Sequence, residues 1–438
     1  MPLLSLIVTA YNIEDFIDEC MQTVIGQTLT DMEIIVVDDG SSDATPEIIR
    51  KYAEKDTRIR PIFLPENTMG GVASAANAGL DAATGKYIGF ADGDDYLEPT
   101  MFDELCAAAE ENQSDLAMCK YLESIGPEKE TKEPAERMRW APFTEAQCVP
   151  LDNDDNRIEI LRFIAVPWRK IYSRRMLEEN NIRFPAVDYF WEDNPFHWFS
   201  VCSANAIAIV PNVLCYHRVA RAGQTMSTRD AGLLKMFGHY ETIKQWLDER
   251  NLLNRFQAPL LGWAVSQFEW IQKRIPQTAG DQLFDIMKAI LEPVDGVVLD
   301  RALQAKGDRT RKQVDSIRDG NREAFLKEFS LQFRNGSRRP GALTGLGAKP
   351  LSLVRLAISD ARANGFRSTA SKARQYLLGS RFRKKEVQTP GGMITEHQML
   401  RFMALLQQDL DRKHAEQLNR LETIEEAVKE IRSAQDNV

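Results

Sequence analysis

The chain has 438 residues, a formal net charge of −9 and 43% hydrophobic residues, the make-up of a globular protein with one full-sized domain and something smaller. No stretch approaches about 18 consecutive apolar residues, which argues against a spanning helix. The six cysteines, Cys20, Cys106, Cys119, Cys148, Cys202 and Cys215, form no C-x-x-C pair, so a reduced, cytoplasmic compartment is expected, with the thiols acting as small apolar residues.

Residues 2–8 lack a basic leader and a small-residue cleavage site and read as a strand, not a signal peptide. The β-forming run 5–9 ends at Ala10-Tyr11-Asn12. Over 13–26, Phe16, Ile17, Cys20, Met21 and Val24 share one helical face. Residues 34–37 form a second buried strand that closes on Asp38-Asp39-Gly40-Ser41-Ser42-Asp43, and Pro46 opens a helix to about Lys55. A third strand over 60–64, a small-residue helix over 70–83 and a fourth strand over 86–90 follow. This alternation predicts a parallel, doubly wound sheet, which binds ligands at the carboxyl ends of its strands.

Three polar clusters fall at such ends: Tyr11-Asn12, Asp38-Asp39 and the turn Asp92-Gly93-Asp94-Asp95. Like charges at a strand end are costly unless something positive sits there. A divalent cation with oxygen ligands, Mn²⁺ or Mg²⁺, answers that need, and a diphosphate would fill its remaining positions. An acidic surface turn is the alternative for the last cluster alone. No G-x-G-x-x-G follows the first strand and no G-x-x-x-x-G-K-[ST] occurs, which disfavours a dinucleotide dehydrogenase or a P-loop enzyme.

Ser5-Leu6-Ile7-Val8-Thr9-Ala10-Tyr11-Asn12, Glu33-Ile34-Ile35-Val36-Val37-Asp38-Asp39-Gly40-Ser41-Ser42-Asp43 and the Asp92–Asp95 turn, in this order and spacing, resemble the inverting glycosyltransferases of family 2. The resemblance covers roughly the first half of the chain. It implies a nucleotide-diphospho-sugar transferase (GT-A) fold, Rossmann-like and mostly parallel, over residues 1–230. It further implies that Ala10 and Tyr11, with Asn12 beside them, line the nucleotide pocket. Asp39 would hold the base or ribose, with Asp38 as its neighbour. Asp92 would meet the donor, and Asp94 and Asp95 the metal and diphosphate. Where the family usually has Ala-Arg-Asn, this chain has Ala75-Ala76-Asn77, so a pocket arginine is missing. Asn77 remains as a donor-binding candidate; the other reading of this segment is helix–sheet packing by small residues.

Residues 98–112 predict a helix, and 120–155 a polar surface excursion that includes Glu123, Glu128, Glu130, Glu133 and Glu136. Trp168-Arg169-Lys170-Ile171-Tyr172 then leads to Trp191-Glu192-Asp193. In the family a similar Trp-x-Lys-hydrophobic-Tyr segment precedes a Glu-Asp pair whose Asp is the catalytic base. The resemblance thus implies Asp193 as base, with Glu192 orienting it. The chemistry requires such a group, because in an in-line displacement the acceptor hydroxyl must lose its proton as it attacks. The alternative is that the pair caps a helix starting near Pro195, and the two roles are compatible. Trp168 and Trp191 read either as sugar-stacking acceptor residues or as core. Lys170 reads either as an acceptor contact or as a solvated helix residue. Arg218, Arg221, Gln224 and Ser227 match a family segment that closes over the diphosphate. His217 reads as packed or solvated and not as a metal ligand.

From Leu233 the pattern turns helical, which predicts a helical domain over 231–333, an acceptor platform or a dimerisation module. In residues 334–390, Lys and Arg crowd against a single acid, Asp360, up to Lys385. That patch suits an anionic membrane surface or a lipid-linked phosphate, with a solvated linker as the alternative. No RNA-binding motif supports a nucleic-acid partner. Residues 391–438 predict an amphipathic helix with a modest coiled-coil seam, a route to a homo-oligomer. Together these imply a metal-dependent, inverting transferase that takes a nucleotide-diphosphate sugar, UDP-linked, to a glycan or lipid-linked acceptor of surface polysaccharide, in the cytoplasm or peripherally on the inner membrane face. One rival is a sugar nucleotidyltransferase, whose Gly-rich, Arg- and Lys-bearing N-terminal loop is absent. The other is a non-catalytic scaffold, against which the set Asp39, Asp92, Asp94 and Asp193 speaks.

Overall fold

The first strand, β1 (Leu4–Ala10), is buried along its whole length, as expected of a strand covered on both faces of a parallel sheet. After it come α1 (Ile17–Ile25), β2 (Met32–Asp38), α2 (Thr45–Lys55), β3 (Ile59–Phe63), α3 (Val72–Ala82) and β4 (Tyr87–Asp92). α1 buries Ile17, Cys20, Met21 and Val24, four members of the predicted face. It starts later than the periodicity suggests because residues 12–14 are tied elsewhere. Asn12 sits at φ 48°, the Ile13 N–H donates to Thr45 Oγ1 (3.0 Å) and the Glu14 N–H to Asp43 Oδ2 (3.0 Å). The loops after β1 and β2 therefore form one hydrogen-bonded unit.

This computed structural model describes residues 1–68, 72–187, 191–219 and 230–336. Arg221, Gln224, Ser227 and the segments discussed above beyond residue 336 lie outside the described residues. The remaining elements are β5 (Tyr96–Leu97), α4 (Met101–Asn112), β6 (Leu116–Ile125), β7 (Glu130–Lys132), β8 (Gln147–Pro150), α5 (Asp154–Leu161), β9 (Lys170–Ser173), α6 (Arg174–Glu179), α7 (Asp193–Ser203), β10 (Ala206–Val219), α8 (Gly238–Glu249), α9 (Leu253–Ile271), α10 (Gly280–Leu291), α11 (Gly296–Ala302), α12 (Asp308–Arg318) and α13 (Arg322–Gly336).

The sheet runs β3-β2-β1-β4-β9-β6-β10-β5, with β7 on β6 and β8 on β10. β3, β2, β1 and β4 are parallel, whereas β9 is antiparallel to both β4 and β6. The sheet is thus mixed and mostly parallel, not purely parallel. The strand–helix alternation carries directional information only between consecutive strands, and β9 arrives from the far side of the 120–169 stretch. That stretch is exposed over most of residues 126–147, as expected of a surface excursion, but it also belongs to the sheet. It completes β6 and adds β7 and β8, and it buries Glu136. Lys170 is a fully buried strand residue, which removes the solvated-helix reading.

β10 continues well past Pro211. Register shifts between Val210 and Val213 and between Val213 and Cys215 absorb the proline, a device that re-aims a strand. Cys215 and Tyr216 then pair with Leu97 and Tyr96 of β5, which carries the end of β10 to the Asp92–Asp95 turn. Among the described residues no helix is long and apolar enough to cross a membrane.

Candidate active site at the carboxyl ends of the central strands

The register fixes the first half of the site. On one side of β1, Ala10 pairs with Asp38; on the other, Thr9 pairs with Asp92. The Asp39 N–H donates to the Ala10 carbonyl (2.9 Å) and the Gly93 N–H to the Thr9 carbonyl (2.9 Å). Both acidic loops therefore hang from the last carbonyls of one strand. Gly93 is required: a Cβ there would lie 2.6 Å from Ile13 Cδ1 and 2.8 Å from the Thr9 carbonyl oxygen. Gly40, at φ 71°, likewise passes 2.4 Å from the Glu66 backbone when given a Cβ.

The acids at these ends are buried but not equivalent. Asp38 accepts the Ser41 N–H on Oδ2 (3.2 Å), and its buried Oδ1 has no hydrogen-bond partner among the described residues. Asp39 accepts the Thr68 hydroxyl (2.7 Å) and the Asn67 amide (3.0 Å). Burial nevertheless raises its pKa, with Asp38 adding to the effect. Asp92 is raised well above the usual carboxylate range by burial and by the charges of Asp95 and Asp94. Asp95 accepts from the Arg218 N–H (2.8 Å) and lies 2.8 Å from His217 Nδ1. Burial alone would depress the His217 imidazole, but Asp95, helped by Asp92 and Asp94, lifts it to about 9. Ligand atoms of Asp92, Asp95 and His217 all lie within 4.8 Å of one another, a grouping able to hold a metal ion. His217 is packed, one of the readings expected of it, and the bulged β10 delivers it to the cluster. Trp168 stacks on the same imidazole (centroids 5.0 Å apart, 17° between planes).

Arg218 is held at the rim. Its Nε donates to the Asp94 carbonyl (2.6 Å), its guanidinium pairs with Glu19, and it lies over the Tyr96 and Phe16 rings. Tyr11, 45% exposed, is open to solvent beside Asn12, whose Oδ1 accepts the Ser42 N–H (2.8 Å). Asn77 faces another way. Its amide donates to the Phe184 carbonyl (2.8 Å) and accepts the Phe184 N–H (3.0 Å), so it clamps α3 to the chain before α7.

The second half of the site is the start of α7. Trp191 precedes it at φ 72°, a conformation that costs an aromatic residue roughly 1–3 kcal/mol and persists only where the surroundings impose it. Glu192 is buried, and its pKa is pushed up to about 8 by burial and by Asp193. Burial also raises Asp193, against the pull of Lys170 and of hydrogen bonds at Asn194. The Asn194 amide donates to Asp193 Oδ1 (3.0 Å) and to the Trp191 carbonyl (3.1 Å), while its Oδ1 accepts the Trp263 indole N–H (3.1 Å). Asp193 is close enough to Asp92 for its charge to raise that pKa. The acid turn and the α7 start thus lie within electrostatic reach of each other.

Beneath them lie buried cations. Arg169 is paired with Glu136, and burial is more than offset, so that Glu136 stays below the usual carboxylate range. Lys170 donates its Nζ to the Val166 (2.7 Å) and Ala165 (3.1 Å) carbonyls, and burial and Arg169 pull its pKa well down. Neither Lys170 nor Trp168, 4% exposed, leaves a surface for an acceptor sugar. The sequence signals missed here were modest: adjacent Arg169 and Lys170 inside an apolar strand call for a buried acid, but nothing marks Glu136 as that acid.

A mostly parallel sheet with carboxylates gathered at its strand ends, followed by helices, is the GT-A fold. A crystal structure of S. aureus TarS, residues 1–349, in complex with UDP-GlcNAc superposes with a TM-score of 0.60, covering 76% of this chain and 92% of that one at 22% identity. That likeness speaks to fold. Residues 5–180 match the profile described as "Glycosyl transferase family 2". It is 37% identical over 221 residues to the "Uncharacterized glycosyltransferase EpsJ" of Bacillus subtilis, half of this chain and 61% of that one. It is 36% identical over 252 residues to the hyaluronan synthase of Pasteurella multocida, 58% of this chain and 24% of the synthase.

Proposed function

We propose that this chain is an inverting glycosyltransferase that moves a sugar from a UDP-sugar to a glycan or lipid-linked acceptor, with Asp193 as general base. The observation that carries this is the electrostatic reach between Asp193, at the start of α7, and Asp92, at the carboxyl end of β4. The UDP-GlcNAc bound by TarS and the glycan named for the hyaluronan synthase support the choice of donor and acceptor.

In this reading the acceptor oxygen bonds to the anomeric carbon as the bond from that carbon to the diphosphate breaks. The hydroxyl proton passes to Asp193, standing opposite the leaving group. Glu192, held protonated by burial, keeps a second negative charge away from that base. Tyr11 and Asn12, with the Ala10 backbone, line the base side of the donor, and Asp38 and Asp39 meet its ribose. Asp94 faces the diphosphate, and Arg218, with Arg221, Gln224 and Ser227 beyond the described strand, closes over it. Trp191 offers a ring to the acceptor.

The donor set fits a divalent metal: the two carboxylates suit Mn²⁺ or Mg²⁺, and the imidazole, on giving up its proton, would favour Mn²⁺ over Mg²⁺, while the raised Asp92 pKa marks a cluster short of positive charge. Asp92, Asp95 and His217 would hold the ion, with Asp94 beside them. Bound there, it would supply charge to the departing diphosphate.

A screen of common nucleotide sugars with Mn²⁺ or Mg²⁺ tests the proposal by nucleotide release. Absence of release with every donor would sink it and favour a scaffold. The same proposal extends to anionic lipid binding by residues 334–390 and self-association through 391–438. Equal co-sedimentation with anionic liposomes after deletion of 334–385 would remove the lipid contact.

A further inference from the structure

We propose that Trp263 is a positioning residue for the base: its indole N–H fixes the orientation of the Asn194 amide, which in turn holds the Asp193 carboxylate. This rests on the reading of Asp193 as base. Trp263 stands on α9, beyond residue 180 where the family match ends. The helical segment would thereby reach into the chemistry.

An asparagine amide has two unlike edges, and a half-turn exchanges an acceptor for donors. An indole N–H can only donate. With Trp263 Nε1 donating to Asn194 Oδ1 at 3.1 Å, the amide must present its NH₂ to Asp193 Oδ1, at 3.0 Å, and to the Trp191 carbonyl, at 3.1 Å. The opposite orientation would set an oxygen against a carboxylate and leave the indole N–H without an acceptor.

A second contact from the same helix reinforces the arrangement. Trp270 meets Trp191 edge to face, with centroids 5.9 Å apart, and is itself covered by the Arg274 guanidinium at 3.9 Å. Trp263 and Trp270 are two turns apart and so share one face of α9. That face grips the residue before the Glu192-Asp193 pair and the residue after it. The left-handed backbone of Trp191 is thus pinned from outside the catalytic sheet.

The test uses full-length protein, the UDP-sugar turned over fastest in the screen above, and UDP as the binding probe. Trp263→Phe keeps the ring and removes only the donor. It and Asn194→Ala are each expected to lower kcat about tenfold or more while the Kd for UDP stays unchanged. Because Trp263 acts through Asn194, the double variant should be no slower than Asn194→Ala alone. In an Asp193→Asn background Trp263→Phe should cost nothing further. Unchanged kcat in folded Trp263→Phe, or losses that multiply, overturns the proposal. Where Trp263→Phe does not fold, unchanged kcat in Asn194→Ala overturns it equally. The two readings separate cleanly: a fully active Asp193→Asn takes down the base assignment and this proposal together. An inactive Asp193→Asn beside a fully active Trp263→Phe takes down this proposal alone.

Discussion

Burial raises carboxyls in both acidic groups of the site, but what stands beside each group differs. At the Asp92–Asp95 turn the answer is cationic: the His217 imidazole, raised to about 9, lies against Asp95, and Arg218 is held on the Asp94 backbone. At the Glu192–Asp193 pair the answer is burial and a neutral amide, and both carboxyls rise, Glu192 to about 8. Glu136 shows the limiting case, a buried carboxylate held down by a full partner in Arg169. Burial raises these acids even where an imidazole lies against one of them, as at Asp95, and is offset only by the buried ion pair at Glu136. A turn whose carboxylates crowd together and raise one another suits a positive occupant. A helix start with raised carboxyls suits a proton that comes and goes.

The largest expected effect breaks the comparison at the helix start. Asp193→Asn should lower nucleotide release by about 10²–10⁴-fold, the range of a lost general base, with UDP affinity by calorimetry unchanged. Full turnover would show that the pair has no proton to handle. Next, Glu136→Ala leaves Arg169 buried without a counter-charge and should cost about 3–5 kcal/mol in urea denaturation; a neutral result would mean the pair contributes no net stability. Smaller still, His217→Ala should weaken the Mn²⁺ dependence of turnover by about 10- to 100-fold, read from a metal titration. An unchanged titration would leave the turn without its metal.

The same contrast governs what the sequence disclosed. The parallel half of the sheet was legible because each strand is a continuous apolar run with its acids directly after it, so register alone places Asp38 and Asp92 beside the end of β1. The antiparallel half was not, because β9 reverses direction and β10 crosses a proline without ending. His217 reads as unremarkable until the bulge aims it at Asp95. Asn77 looks like a pocket residue by spacing, yet its amide is spent on Phe184. Trp263 lies 69 positions from its hydrogen-bond partner Asn194, a pairing that no local pattern announces.

The least drastic test asks whether Glu192 is truly neutral in the fold. Its ordinary value is 4.5 and its folded value about 8, so the folded chain keeps a proton that the unfolded chain has released. The stability this contributes is full below about pH 4.5 and is lost as pH rises through about 8. Gln cannot release a proton, so Glu192→Gln should match the parent in thermal melting near pH 5. Near pH 9 it should melt a few degrees higher, at about 2–4 °C for each kcal/mol relieved. Asp193 is present in both proteins and cancels. Turnover at pH 7 should stay within about twofold, since a protonated Glu and a Gln present the same charge to the base. A melting difference that does not change with pH would mean that Glu192 is ionised in the folded chain. The helix start would then carry two negative charges, and its contrast with the Asp92–Asp95 turn would disappear.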